Sequence, residues 1–419
     1  MMLDAARAVA DAVLVEGYAL YPYRASSIKN RYRWTFGVLA PRAWSEAGGC
    51  ETWWLEAQLP ICVESPAQLA GQLRFFQIVR RRVERARPDG SFEPVAALGG
   101  EGGDLAVAWD EGVVRTVELA VSLAPGVAVE HEIPFAFDAA TEEGTVPAGR
   151  IVRARHGLAG RIHVRADPIA AERPLVRVAI RVENTTPWTA LAAPREDAIT
   201  AAFASAHLLI GVRGGELIST IDPPAWAAEV ARACTSRGVY PALAGPPGTS
   251  DVALCAPIVL PDHPQIAPES PGDLCDATEI DELLALRTLT LTDEEKRWAR
   301  ATDARAKEIV DRVDADDRGE IPEWLPALHG AQRAVHEGEM RPMHGLVPGM
   351  RVRLHPRARG TDAQDLLLAD RIALVEGTRL DVDGTLYVAV TIEEDPAAEL
   401  HRWYGRFHYF RLDEIEVVP

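Results

Sequence analysis

Lysine and cysteine are scarce in this sequence. Among its 44 basic residues only Lys29, Lys296 and Lys307 are lysines, a bias typical of a high-GC genome. The five cysteines form no Cys-x-x-Cys pair, the unit from which structural zinc sites are usually built. An odd number of thiols spread over a long chain predicts free cysteines in a reducing compartment and argues against a disulfide framework.

Long apolar runs are also missing. No window approaches the roughly 18 apolar residues that a membrane-spanning helix needs. Asp4 and Asp11 interrupt the N-terminal stretch where a signal peptide requires a basic region followed by an apolar one. We therefore expect a cytoplasmic protein that does not insert directly into a membrane.

Positive charge is in short supply, and so are catalytic signatures. The formal net charge is −18, whereas nucleic-acid binding depends on neutralising phosphates. The sequence has no Gly-x-Ser-x-Gly elbow and no His-Glu-x-x-His helix, and Gly245–Asp251 lacks the lysine of a phosphate-binding loop. These absences favour a non-catalytic protein with no cofactor and no nucleic-acid partner.

Alternating apolar and polar residues dominate the first 255 positions. In Leu175–Glu183 alternate side chains are Val or Ile, and Gly160–Asp167 repeats the pattern. Such alternation predicts half-buried antiparallel strands. Further strands are predicted at Trp53–Pro60, Leu73–Arg82, Leu105–Trp109, Val113–Ser122 and Ala204–Val212. Many short strands with few helices favour a β-sandwich, built as one body or as two related β modules side by side.

Helices are predicted at two places. Leu3, Ala6, Ala10, Val13 and Leu14 recur at helical spacing near the N-terminus. Further on, Thr292 with Glu295 forms a capping-box pattern, and Thr302 with Asp303 can cap the next helix. The second group of helices follows a proline-rich stretch and predicts a helical bridge.

The chain, at 419 residues, is long enough for two or three domains of about 100 to 200 residues each. We expect a mainly β, α+β protein with a large sandwich-like body at 1–255, a proline-rich loop and helical bridge at 256–345, and a small SH3-like barrel at 346–419. Strands of the barrel are predicted at Arg351–His355, Leu386–Ile392 and Phe407–Phe410. Such barrels bind peptides or docked domains more often than they catalyse.

An aromatic and basic segment lies near the N-terminus. Arginine, tyrosine and tryptophan are enriched at the energetic centres of protein interfaces, and these residue types alternate between positions 18 and 34. The segment therefore predicts a docking surface for an acidic protein partner, although its aromatic residues can equally pack inward from a strand edge. The predicted partner-binding residues are Tyr21, Tyr23, Arg24, Arg31, Arg33 and Trp34.

Potential metal ligands crowd the proline-rich stretch. Their chemical types suit a transition metal, but no spacing between them forces convergence on one ion. The alternative is a solvated acidic loop whose carboxylates favour a helix start. The candidate ligands are Asp262, His263, Glu269, Asp273 and Cys275.

Two separated blocks resemble one bacterial family. The first is APIVLPDHPQIAPESPGDLCDATEIDELLALRTLTLTDEEK at Ala256–Lys296. The second spans Gly349–Pro419, where GMRVRLHPR, DAQDLLLADRIALVEG, LYVAVTIEEDP and GRFHYFRLDEIE match, and VADAVLVEGYALYPYR near the N-terminus is similar more loosely. The family is uncharacterised and is encoded beside nickel–iron hydrogenase genes.

The resemblance implies an accessory role in assembling or maturing an uptake-type nickel–iron hydrogenase, through binding a hydrogenase subunit or another accessory protein. The sequence lacks the paired Cys-x-x-Cys motifs of hydrogenase large subunits and of zinc-containing nickel-delivery proteins, and the Met-Cys start of the small maturation chaperones. It is therefore not expected to be any of these. The alternative hypothesis is a metal-dependent enzyme or metal carrier that uses the acidic loop around His263.

Overall fold

The computed structural model describes residues 3–15, 33–99, 105–169, 172–266, 288, 291–314, 346–356, 368–380, 386–393 and 407–418. They belong to two compact units, Met1–Arg318 and Gly319–Pro419. Among the helices and strands of these ranges, antiparallel β-strands predominate and the helices are few and short, which confirms the predicted mainly β, α+β class. No helix within these ranges is both long and apolar enough to cross a membrane.

The elements of the first unit are, in chain order, α1 (Asp4–Val15), α2 (Arg42–Glu46), β1 (Trp54–Cys62), β2 (Ala67–Ala86), β3 (Phe92–Val95), β4 (Ala97–Leu98), β5 (Ala106–Val107), β6 (Trp109–Leu123), β7 (Val129–Phe137), β8 (Ala140–Val146), β9 (Gly149–Arg155), β10 (Leu158–Ile169), β11 (Leu175–Asn184), α3 (Arg195–Ala198), β12 (Ala204–Arg213), β13 (Glu216–Leu217), α4 (Ala228–Ala233), β14 (Tyr240–Ala244), β15 (Val252–Ala256), α5 (Asp293–Arg300) and α6 (Ala304–Asp314).

Two sheets form the β-rich body. The first has the strand order β13-β1-β11-β10-β7, and the second has the order β14-β15-β12-β2-β9-β8, with β3 and β6 also paired to β2. The 20-residue β2 is longer than the sequence predicted. It pairs with β12 and then β9 along one side, and with β6 and then β3 along the other, so it is the central strand of its sheet.

The inner faces of both sheets share one apolar core. Buried residues of β1, β10 and β11 from the first sheet belong to the same cluster as residues of β2, β6 and β12 from the second. Phe75 and Phe203 lie within it with their ring centroids 4.5 Å apart, and the partly buried Phe135 and Phe137 pack against it. The body is therefore a two-layer sandwich, as its alternating sequence predicts.

The N-terminal helix covers the outer face of the second sheet. Ala6, Ala10 and Val13, on the predicted apolar face of α1, pack with Leu209 of β12 and Leu254 of β15. This contact explains why β12 is apolar on both faces and buried at nearly every position.

The two helices after the proline-rich stretch pack against this same unit. The capping box predicted at α5 is confirmed, because Thr292 Oγ1 accepts from the Glu295 amide and the Glu295 carboxylate accepts from the Thr292 amide. The Asp303 carboxylate caps α6 by accepting from the Ala306 amide at 2.9 Å. Ala299 of α5 and Ile309 and Val310 of α6 are buried.

The second unit contains one antiparallel sheet. Its strands are β16 (Arg351–Leu354), β17 (Ile372–Leu380), β18 (Leu386–Ile392), β19 (His408–Arg411) and β20 (Ile415–Val417), in the order β19-β18-β17-β16-β20. Val352, Val375, Val390 and Phe410 lie in a separate apolar core. The sequence predicts an SH3-like barrel here, and five strands surround their own core. In its described residues the sheet is open, because the edge strands β19 and β20 do not pair with each other.

Candidate functional site

Two of the six predicted partner-binding residues lie within the described ranges, and both are buried. Arg33 is 5% exposed and Trp34 is 4% exposed. The Arg33 guanidinium lies over the Trp109 ring, with its carbon 3.8 Å from the ring centroid, and Trp34 packs edge-on against Phe76 of β2. These two residues are therefore not exposed anchors. Tyr21, Tyr23, Arg24 and Arg31 lie outside the described residues.

Arg33 lines a cleft in the β-rich body, which we call the arginine cleft. Its volume is about 330 Å³. It opens where β6 begins beside the second half of β2. The lining residues are Arg33, Arg80, Arg81, Arg82, Ala108, Trp109 and Asp110. Four of these seven lining residues are arginines, and one is an aspartate.

Arg80 is fixed at the cleft by acidic neighbours. Its Nη1 donates to Asp197 Oδ1 at 2.7 Å, and its Nε donates to Asp110 Oδ1 at 3.4 Å. Burial lowers the pKa of Arg80, but the hydrogen bonds and charges of Asp197 and Asp110 together outweigh it, so the pKa is raised. Burial raises the pKa of Asp110 against the opposing charges of Arg80 and Arg33. Arg80 therefore stays charged, whereas burial disfavours the charged form of Asp110.

Arg81 is held even more firmly on the wall of the cleft. Its Nη1 donates to Glu111 Oε1 at 2.7 Å, its Nε to the Val107 carbonyl at 2.9 Å, and its Nη2 to the Ala301 carbonyl at 2.9 Å. The last contact satisfies a carbonyl just beyond the C-terminus of α5, where a cation is favourable. The side chains of Arg80 and Arg81 are therefore positioned before any ligand arrives.

The chemistry of the arginine cleft is that of anion recognition. Planar guanidinium groups bind carboxylates through paired hydrogen bonds, and Arg82, whose side chain is 52% exposed, is the most accessible of the four arginines. Its lining residues include no thiol, hydroxyl or imidazole group that could act as a nucleophile or neutral base.

Two of the five predicted metal ligands are described, and both bind protein groups. Asp262 Oδ1 accepts from the Leu243 amide at 2.7 Å, and its Oδ2 accepts from Ser219 Oγ at 2.5 Å. The His263 amide donates to the Leu243 carbonyl at 2.7 Å, and its ring Nδ1 contacts the Gly245 carbonyl at 3.3 Å. These bonds satisfy the free edge of β14, so a metal would have to compete with them.

The other three predicted ligands, Glu269, Asp273 and Cys275, lie outside the described residues, and the metal site stays a prediction. Across the described ranges, no three His, Cys, Asp or Glu side chains come together as a metal-binding group. The four cysteines that fall in these ranges, Cys50, Cys62, Cys234 and Cys255, are free thiols, as the sequence predicts.

A second group of arginines and tryptophans lies on the outer face of the first sheet. The guanidinium of Arg181 lies 3.8 Å from the ring centroid of Trp54 and 5.4 Å from that of Trp53. Arg42 extends the stack over Trp53, at 4.4 Å, and Arg237 over Trp54, at 4.6 Å. The sequence did not predict this group, because Trp53 and Trp54 are far along the chain from the arginines that stack on them.

The arginine cleft was missed for a similar reason. In the sequence, Arg80–Arg82 form the end of one predicted strand and Trp109 forms the end of another. The consecutive arginines were the one available signal, since three cations in a buried strand require anionic partners. Their assembly into a cleft depends on the pairing of β2 with β6, in which Arg81 lies opposite Trp109.

Comparison with known proteins assigns no family to this chain. No family model matches the sequence, and no curated protein matches it. The open-gate secretin InvG of the Salmonella SPI-1 type III secretion injectisome is 11% identical over 50% of this chain and 64% of that chain, with a TM-score of 0.16.

The secretin domain of InvG from the same injectisome is 12% identical over 39% of this chain and 46% of that chain, with a TM-score of 0.10. The chain therefore spans less than two thirds of these secretin chains. At such TM-scores the likeness supports no conclusion about fold or function.

Proposed function

We propose that this chain is a cytoplasmic, non-catalytic accessory protein that acts by binding an acidic segment of another protein in the arginine cleft. The observation that carries the proposal is the lining of the cleft, four arginines and one aspartate, in a chain whose net charge is −18. Arg80 and Arg81 are already paired with carboxylates, so the half-exposed Arg82 is the cation that would attract an acidic group while the surrounding surface repels it.

The partner class follows from the shape and chemistry of the recess. Fixed guanidinium groups beside an indole ring offer both charge-assisted hydrogen bonds and a flat apolar contact, the combination found at energetic centres of protein interfaces. Arg33 is part of this lining, so the cleft adjoins the N-terminal segment for which the sequence predicts partner binding. A carboxylate-bearing segment fits this chemistry better than a nucleic-acid backbone does, given the overall charge.

The resemblance of Ala256–Lys296 and Gly349–Pro419 to a family encoded beside nickel–iron hydrogenase genes supports a hydrogenase context. The proposed partner is accordingly an unfinished hydrogenase subunit or a fellow accessory protein. The sandwich would hold the cleft, and the C-terminal module would supply a second contact, as small SH3-like modules commonly do. The proposed role is assembly or maturation of the hydrogenase.

Charge reversal in the cleft tests the proposal. The tagged chain is purified from a hydrogenase-expressing host, and captured hydrogenase subunits and accessory proteins are quantified for wild type and Arg82→Glu. We expect the variant to lose about tenfold in affinity, which corresponds to about 1.4 kcal/mol. The remaining binding should weaken further as the salt concentration rises.

Arg165→Glu is the matched control. Arg165 is 57% exposed and pairs with Asp167, two residues on, just as Arg82 is 52% exposed and lies beside Glu84. Equal capture by wild type, Arg82→Glu and Arg165→Glu would contradict the role of the cleft. Failure of the wild-type chain to capture any hydrogenase-related protein would instead contradict the hydrogenase context.

A further inference from the structure

Two arginines flank Gln77 on the inner side of the second sheet. Arg115 of β6 lies opposite Phe75 of β2, two residues before Gln77. Arg155 of β9 lies opposite Val79 of β2, two residues after Gln77. Residues that oppose each other in an antiparallel pair project on the same side of the sheet, and so do residues two apart on one strand. The two arginine side chains therefore lie on either side of Gln77, on the face that carries the core residue Phe75.

Gln77 and an aromatic ring hold Arg115 in position. The Gln77 side chain is fully buried, and its Oε1 accepts from Arg115 Nε at 2.8 Å while its Nε2 donates to the His156 carbonyl at 2.6 Å. The Arg115 guanidinium carbon lies 4.9 Å from the centroid of the Phe137 ring. No described group accepts a hydrogen bond from the two Nη atoms of Arg115. The side chain is thus fixed while two of its donor groups stay open.

Arg115 differs from its neighbours in having no carboxylate partner in the described ranges. Arg81 and Arg153, further along the same side of the sheet, both pair with Glu111, at 2.7 and 2.9 Å. Burial lowers the pKa of Arg115, and the positive charge of Arg155 lowers it further. Two cations therefore repel each other here without a shared anion.

Arg155 also has an unused donor. Its Nε is buried and has no hydrogen-bond partner in the described part of the structure. Its Nη1 contacts Glu142 Oε1 at 3.4 Å, but the Glu142 side chain is 68% exposed, so this ion pair contributes little. A buried donor on a charged group is costly without an acceptor. An acceptor that binds from solution would remove this cost and the repulsion together.

We propose that Arg115 and Arg155 bind a phosphate or sulfate ion beside Gln77. The oxygens of such an ion can accept from the Nη atoms of Arg115 and from the Nε of Arg155, because guanidinium groups match the geometry of oxyanions. An ion with about two negative charges neutralises both guanidinium groups, whereas chloride or a single carboxylate neutralises one. The site is separate from the arginine cleft, whose lining includes neither arginine.

Equilibrium dialysis of the full chain against labelled phosphate tests the site, at an ionic strength held constant with sodium chloride. We expect wild type to bind phosphate and Arg115→Gln to bind it about tenfold more weakly, because glutamine lacks the charge and the paired donors. Arg82→Glu should bind phosphate as wild type does, which distinguishes this site from the arginine cleft.

Arg150→Gln is the matched control. Arg150 also belongs to β9 and is 30% exposed, against 27% for Arg155, but it already pairs with Glu84 at 2.7 Å. This variant should keep the wild-type affinity for phosphate. No binding by wild type, or equal binding by wild type and Arg115→Gln, would overturn the proposal. An equal loss of affinity in Arg150→Gln and Arg115→Gln would overturn it as well.

Thermal unfolding separates binding from a purely structural role of Arg115. Phosphate at about ten times its dissociation constant should raise the unfolding midpoint of wild type by about 3 °C, relative to chloride at the same ionic strength. The midpoint of Arg115→Gln should rise by less than half as much, whatever its value in chloride. An equal rise in both proteins would mean that Arg115 does not bind the ion and would overturn the proposal.

Chemical modification of wild type provides a measurement that needs no folded variant. Phenylglyoxal reacts with guanidinium groups, and the modified peptides are quantified by mass spectrometry. Phosphate should slow the modification of the half-buried Arg115 and leave the rate at Arg165, which is 57% exposed and pairs with Asp167, unchanged. An unchanged rate at Arg115 in the presence of phosphate would overturn the proposal.

Discussion

The indole Nε1 of Trp109 donates a hydrogen bond to Asp303 Oδ2 at 2.9 Å, while Oδ1 of the same carboxylate caps α6. Together with the contact of Arg81 to the Ala301 carbonyl, this bond fixes the helix pair α5 and α6 to the sandwich. Trp109 also lies under the Arg33 guanidinium. One side chain thus connects the sheet, the helices and the arginine cleft.

Replacing Trp109 by phenylalanine should loosen the helix pair. The substitution keeps an aromatic ring beneath Arg33 but removes the N–H donor, so we expect a loss of about 1 kcal/mol in the docking free energy. Hydrogen exchange should accelerate in the backbone amides of residues 293–314. The control is Trp226→Phe, because the Trp226 ring stacks under Arg173 instead. Unchanged exchange in Trp109→Phe would contradict the role of the bond.

A methyl group at position 160 should destabilise the sandwich core. A Cβ on Gly160 of β10 would meet the Phe135 ring, would lie 2.8 Å from Cζ of Phe203 and 2.9 Å from the Glu183 carbonyl oxygen. Overpacking of this kind costs about 1 to 3 kcal/mol, so Gly160→Ala should lower the free energy of unfolding in urea by that amount.

Gly144→Ala is the comparison for this change, because nothing lies within 4 Å of a Cβ built there. Both glycines are strand residues, so the intrinsic effect of alanine is similar. Equal unfolding free energies for the two variants would show that the core around Phe203 adapts to the extra methyl group.

The stability of the first unit should fall below neutral pH because of His207. Burial lowers the pKa of this imidazole from 6.5 to about 4, and its Nε2 has no hydrogen-bond partner in the described part of the structure. As pH falls through 6.5 the unfolded chain takes up a proton at His207 that the folded chain refuses until about pH 4. Because of His207, the free energy of unfolding should therefore decrease by about 2 kcal/mol when the pH is lowered from 7.5 to 5.

The measurement compares the pH slope of urea unfolding in wild type and His207→Gln. The variant should show a shallower decline from pH 7.5 to pH 5, whatever its stability at neutral pH. His131→Gln changes an exposed histidine of β7 and should leave the slope as it is in wild type. Identical slopes in all three proteins would refute the assignment.

Removing Gly349–Pro419 should leave the sandwich folded. The two units have separate apolar cores, so the first does not depend on the second for burial. Thermal unfolding of residues 1–348, followed by circular dichroism, should show a cooperative transition within a few degrees of the matching transition in the full chain. Loss of that transition would mean that the first unit needs the second.

The strands that could be predicted are those whose alternation is built from branched apolar residues. Leu175–Glu183 and Gly160–Asp167 became β11 and β10, and Leu386–Ile392 became β18 with the same bounds. β7 and β8 were missed because they are edge strands with little apolar content on their exposed faces, such as Glu130 to Glu132. These two strands are stabilised by pairing with neighbouring strands, and such pairing cannot be predicted from the local sequence.

The candidate site was predictable only in part. Arg33 belonged to the predicted partner surface and does line the cleft, but its burial under Trp109 depends on tertiary packing. Asp262 and His263 have residue types that suit a metal or a strand edge equally well. Their position beside Leu243, fixed by the path of the chain after β15, brings them to the edge of β14.

The pairing of the first strands sets an order for folding during synthesis. β1 pairs with β11 and β13, and β2 pairs with β12, so the strands made first wait for partners made much later. Such long-range pairing makes folding slow and leaves apolar strands uncovered on the nascent chain. All residues up to Leu217 must therefore leave the ribosome before β1 and β2 have their partners, and a chaperone that shields these two strands until then should raise the yield of folded protein.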